Sequence, residues 1–167
     1  MSEEYSEPRF IEPQNTLKIK VGHGGIPPAV LKKSQDFIES NATDFVPYAD
    51  EYLDEIEASM RKIKDHPSLK KDPIFLDQFA QPIMGLKSNG GMFKYPLISM
   101  IADVTLQFLD RAGELNEDGM DIIRAHNGSI RLILKAELKG YAGPEGQKIT
   151  MELSEACNRY FKKHKVA

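Results

Sequence analysis

Four histidines, one cysteine and a Lys-Ser-Asn-Gly-Gly run are the residues of this chain whose chemistry could be put to use. His23, His66, His126 and His164 are scattered, with no metal-ligand spacing and no His-Glu-x-x-His pair, so no metal site is expected. His126 is the one of interest, because it falls on an apolar stripe between Ile123 and Ile130. Two readings stand there: a packed histidine hydrogen-bonded to a neighbouring helix, which is favoured, or a phosphoacceptor or general base. Cys157, in Glu-Ala-Cys-Asn-Arg, has no histidine close in sequence to activate it and reads as a structural thiol. A single cysteine makes neither an intrachain disulfide nor a Cys-rich zinc site. Gly22-His23-Gly24-Gly25 lacks the Lys-Ser/Thr and the following helix of a phosphate loop, and no nucleophile elbow occurs. The expectation is a protein that is not an enzyme and holds no cofactor.

The Lys-Ser-Asn-Gly-Gly run sits in the stretch 83–98, IMGLKSNGGMFKYPLI. On a helix of about 100° per residue, Phe75, Phe79, Pro82 and Leu86 centre one face. Met84 then points nearly opposite, among Ala80, Lys87, Ser88 and Gly91. The outward face would offer one flexible apolar side chain on a floor of small residues, with a lysine one turn on. Pro82 is expected to bend this helix.

The elements that must position these residues read as helices. Residues 1–26 are a polar, flexible tail in which Leu17-Lys18-Ile19-Lys20-Val21 alternates like a short strand, a disordered arm being the favoured alternative. From residue 27 to 167 the pattern is that of a single helical domain. Pro27-Pro28 opens a first helix with Val30, Phe37 and Ile38 at helical spacing. Thr43 or Asp44 caps a second, striped by Phe45, Tyr48, Tyr52, Ile56, Met60 and Ile63. Asp72-Pro73 opens a third, which Gly90-Gly91 should break or strain. The fourth runs from Tyr95 to Ala112 with Gly113 at its C-cap. The fifth starts at Asn116 or Asp118 and stops at Gly140. After the Gly143-Pro144 turn, a last helix carries Ile149, Leu153, Ala156, Tyr160 and Phe161. The fold expected is all-α: an antiparallel four-helix bundle with one or two extra N-terminal helices.

Charge narrows the partners. Twenty-two basic against 25 acidic residues give a formal net charge of -3 over 167 residues, which offers no electrostatic case for nucleic acid. No apolar run reaches membrane-spanning length and the acidic start lacks the regions of a signal peptide, so the cytoplasm is the expected location and no membrane partner is expected.

Met84-Gly85-Leu86-Lys87-Ser88-Asn89-Gly90-Gly91-Met92-Phe93-Lys94-Tyr95-Pro96-Leu97 resembles the core motif of bacterial histidine phosphotransfer (Hpt) domains, in a branch that reads roughly His-Asp-Ile-Lys-Gly-Gln-Gly-Gly-x-Phe-Gly-Tyr-Pro-Leu. The likeness extends through Arg124-Ala125-His126-Asn127-Gly128-Ser129-Ile130-Arg131 and the Gly143-Pro144-Glu145-Gly146 turn, covering roughly residues 70–163. The lysine, both later glycines and the Tyr-Pro-Leu step match, but Met84 stands where the phosphoacceptor histidine belongs. A thioether has no imidazole nitrogen with which to hold a phosphoryl group. Ser88 in place of glycine adds bulk where a receiver domain would approach. The resemblance therefore implies a degenerate module of two-component phosphorelay signalling that does not transfer phosphate. Its partner would be a response-regulator receiver domain or a histidine kinase, bound through Met84, Lys87, Ser88, Asn89 and Gly91. Two alternatives remain open: an active phosphotransfer protein using His126, and a structural or homo-oligomerising bundle.

Overall fold

The computed structural model describes residues 19–20, 25–40 and 44–165. Its α-helices are α1 (Pro28–Glu39), α2 (Val46–Asp65), α3 (Pro73–Met92), α4 (Pro96–Ala112), α5 (Glu117–Lys135) and α6 (Gly143–His164), with a 3-10 helix at Pro67–Lys71. No strand occurs among the described residues. Of the segment expected as a strand or disordered arm, Ile19 and Lys20 are helical and the rest of 17–21 lies outside the described residues.

Prolines and short polar side chains fix the helix starts. Of the helices α1 to α6, all except α5 carry a proline in the first two positions, where a missing N–H leaves no hydrogen bond unmade. The Asp72 carboxylate accepts from the Ile74 and Phe75 amides at 3.0 and 3.4 Å, and Asn116 Oδ1 accepts from Gly119 at 2.9 Å. Asp44 takes the Val46 amide at 3.0 Å, and Thr43 lies outside the described residues. Gly113 closes α4 in the left-handed region, at φ 64°.

By its internal contacts the chain divides into a unit of residues 1–43 and a unit of residues 44–167. The sequence placed the division after residue 26. In the first unit, α1 forms as its spacing predicts, yet Val30, Leu31, Phe37 and Ile38 are all exposed. Helical period established that helix without specifying what would cover its stripe.

In the second unit α2 packs on α3, α3 on α4, α4 on α5, and α5 back on α2, while α6 lies against α4 and α5. This unit thus holds five α-helices among the described residues, which with α1 makes six. Leu53, Ile56 and Ile63 of α2, Phe79, Ile83 and Leu86 of α3, Ile98, Ile101 and Phe108 of α4, and Ile123, Ile130 and Ile133 of α5 form the centre of the core.

Two glycine expectations change. The Gly90-Gly91 pair does not break α3, which continues to Met92. Gly90 is buried, and a Cβ there would lie 2.8 Å from Ser99 Oγ and 3.0 Å from the Tyr95 carbonyl. The glycine lets the start of α4 lie directly on the end of α3, with the Tyr95 amide donating to the Gly90 carbonyl at 2.7 Å. The turn itself is carried by Lys94, at φ 69°. At the other end, α5 stops at Lys135 rather than running to Gly140.

Candidate functional site

Met84 is 50 % exposed on α3, and Phe79, Pro82, Ile83 and Leu86 are buried on the opposite side of the same helix. The helix continues through Pro82. Lys87 stands one turn on and makes a 2.7 Å ion pair with Asp103 of α4. Both side chains are substantially exposed, so this pair contributes at most about 1 kcal/mol and is readily exchanged for another carboxylate.

The other predicted residues are placed less simply. Ser88 Oγ donates back to the Met84 carbonyl at 2.8 Å, so the hydroxyl is occupied by its own helix. Asn89 Nδ2 donates to the Tyr52 hydroxyl at 3.4 Å and is half-buried against α2. Gly91 is exposed and its amide donates to Ser99 Oγ at 2.8 Å. Gly85 is half-covered: a Cβ on it would lie 2.7 Å from the Tyr52 ring. Tyr52 therefore crosses α3 between Gly85 and Asn89, and this contact had no sequence signal beyond Tyr52's place on the α2 stripe.

Met84 forms the ridge between two shallow grooves. One, of about 430 Å³, is bounded by Tyr52, Glu55, Gln81 and Ser88. The other, of about 460 Å³, runs between α3 and α4 past Leu76, Ala80, Leu106 and the Lys87–Asp103 pair. Among the described residues Lys87 is the single basic side chain lining either groove, against Glu55, Asp77, Asp103 and Asp110. An apolar ridge with one cation set among carboxylates suits a partner whose acidic groups converge on one point and whose surrounding edge is neutral or basic.

The histidines lie elsewhere. His126 is 0 % exposed on α5. Its Nδ1 is 2.8 Å from the Ile122 carbonyl, to which it donates, leaving Nε2 facing Cys157 Sγ at 3.9 Å. Burial pushes the imidazole below its ordinary value, partly offset by the Ile122 carbonyl, and pushes the Cys157 thiol up to about 11. The pair is a neutral imidazole against a neutral thiol, without the charge separation that makes a cysteine nucleophilic. Helix packing brings these residues together across 31 positions, a proximity the sequence did not reveal. His66 is exposed, and His23 lies outside the described residues. His164 Nε2 and Lys163 Nζ converge on Asp118 at 2.8 and 2.6 Å, and they hold its carboxyl below the usual range.

His126 makes stability depend on pH. Protonation is disfavoured in the folded chain, so the unfolded chain binds this proton first as pH falls through about 6.5. The histidine's contribution is complete above that value and is lost on the way down to its lower folded value. Urea midpoints at pH 7.5 and pH 5 should therefore fall more steeply for the wild type than for His126→Leu. Equal pH dependence in the two would show that the ring is solvated.

Among the described residues, no three His, Cys, Asp or Glu side chains group as a metal site would need, and no helix is long and apolar enough to cross a membrane. Compared with protein-family models, curated proteins and solved structures, the chain matches none.

Proposed function

We propose that the chain is a non-catalytic binding module of Hpt type, which docks a response-regulator receiver domain or a histidine kinase through the Met84 face of α3. The observation that carries this reading is the place of Met84. It projects from the helix surface at the position the resemblance assigns to the phosphoacceptor, with Lys87 at the expected three-residue spacing and a groove on each side. The resemblance, over residues 70–163, covers α3 to α6 and leaves α2 as an extra N-terminal helix, whereas the four helices that pack in cyclic order are α2 to α5.

The chemistry of the face is that of contact rather than transfer. A thioether is flexible and polarizable, so it adapts to an apolar partner surface, but it cannot carry a phosphoryl group as a phosphoramidate. Lys87, released from Asp103, supplies the cation for a partner carboxylate. At His126, the exposure an acceptor requires is missing. Acid-labile, alkali-stable label lost in His126→Ala but kept in His164→Ala would nevertheless establish phosphotransfer through that residue.

Binding variants test the docking face. In a receiver or kinase complex, Met84→Glu should weaken affinity by about 2 kcal/mol or more, roughly thirtyfold, as expected for a central contact. Lys87→Glu should weaken it less, in line with a rim charge. Neither side chain belongs to the core, so both variants should keep wild-type helicity and unfolding midpoints. Wild-type affinity in both variants, measured by calorimetry, would remove the proposal.

A further inference from the structure

We propose that the groove between α2 and α5 binds the oxyanion group, phosphate or carboxylate, of a small molecule. At one end Arg131 of α5 reaches Asp50, Asp54 and Glu57 of α2 at 3.2, 2.6 and 3.1 Å, which ties the two helices together and commits that arginine to α2. From there the groove, of about 460 Å³, runs over buried Met60 toward Arg61 and Lys64 of α2 and Arg124 of α5. Arg124 is paired with Asp121 on its own helix. Arg61 and Lys64 have no ion-pair or hydrogen-bond partner among the described residues, although they stand at i and i+3 on one helix face.

Between the committed and the unpaired cations lies Asn127. Asn127 lines the groove and is only 4 % exposed, yet among the described residues its amide nitrogen Nδ2 has no hydrogen-bond partner. An unmade buried donor is costly, and a ligand oxygen in the groove would satisfy it. Beside it, Gly128 is exposed, and a Cβ there would meet nothing within 4 Å. Glycine in a helix interior is disfavoured relative to alanine, but here it leaves the wall next to Asn127 open. Two unpaired cations supply charge and Asn127 supplies a directional donor, a combination that fits an oxyanion. Glu57 repels a second anionic group at the Arg131 end, which sets the charged group of the ligand toward Arg61 and Lys64. The space is that of a small-molecule site.

The test titrates the full chain with inorganic phosphate and, separately, with succinate, at constant ionic strength maintained with chloride. The readout is the Asn127 side-chain amide resonance together with the backbone resonances of α2 and α5. One of the two probes should give a saturable shift with Kd below about 5 mM, and the preferred probe identifies phosphate or carboxylate as the group recognised. Arg61→Gln with Lys64→Gln, both on exposed side chains, should weaken that binding at least about tenfold. Gly128→Leu should fill the open wall and abolish it. Asn127→Leu should also lose binding without losing stability, whereas a purely structural Asn127 would lose stability. The proposal is overturned if neither probe saturates by about 20 mM, which would mean that solvent alone satisfies Asn127. Saturable binding unchanged in the Arg61/Lys64 double variant would overturn it equally, as an adventitious ion only.

Discussion

Replacing Gly146 with alanine is expected to destabilise the chain by about 3 kcal/mol, at the upper end of what overpacking usually costs. A Cβ on Gly146 would fall 2.0 Å from the Tyr141 carbonyl oxygen, 3.0 Å from its carbon and 3.1 Å from a Leu97 methyl. The first two are backbone atoms and cannot rotate away. They are fixed there because Gly140, Ala142 and Gly143 all take positive φ, which folds residue 141 back over the first turn of α6. Gly128→Ala is the matched control. It adds the same methyl to a helix, into open space, and should stabilise the chain by up to about 1 kcal/mol. Chemical denaturation of both variants reads the difference directly. Similar midpoints for the two would mean that the turn before α6 does not press on the helix as described.

Phe108→Ala should cost about 4 kcal/mol, the range for truncating a buried aromatic. For a chain of this length that corresponds to a fall in Tm on the order of 10 °C. Phe108 is 1 % exposed and meets Tyr160 edge-on at 5.0 Å between centroids and Phe161 at 5.6 Å. It is the point where α4 holds α6, and its ring also backs the Gly119 turn of α5. Deletion therefore leaves a void bordered by three helices, none of which can close it alone. Phe108→Leu, retaining part of the volume, should cost well under half as much. A loss below about 1 kcal/mol for the alanine variant would show that the aromatic cluster is not closely packed.

What could be read from the sequence was what repeats locally. The α2 stripe through Ile56, Met60 and Ile63 and the α5 stripe through Ile123, Ile130 and Ile133 declare themselves by spacing, and all six residues are buried. The Asp72 cap declares itself because a short polar side chain precedes a run of helical period, and of the two starts offered by Asn116 and Asp118 the cap is Asn116. Gly90-Gly91 misled because glycine read locally is a helix breaker, whereas Gly90 serves a close approach by Tyr95 and Ser99 after the chain has turned. At the candidate site, the outward direction of Met84 followed from helical geometry alone. Its surroundings did not, since Tyr52 over Gly85 and Asp103 against Lys87 depend on which helices become neighbours. Asn127 carried no signal, because a polar residue one step from an apolar stripe is ordinary until its unmet donor is located in a groove.

The most direct measurement is a map of the contact surface on the chain itself. Receiver domains from the organism that encodes this chain would be titrated, in unphosphorylated and phosphorylated form, into isotopically labelled protein, while phosphoryl transfer is followed in parallel. If the Met84 face docks a receiver, the shifts concentrate at Met84, Lys87, Ser88, Asn89 and Gly91, extend to Tyr52 and Asp103, and no label appears on the chain. Shifts confined to α5 and α6, or stable phosphorylation of the chain, would contradict it.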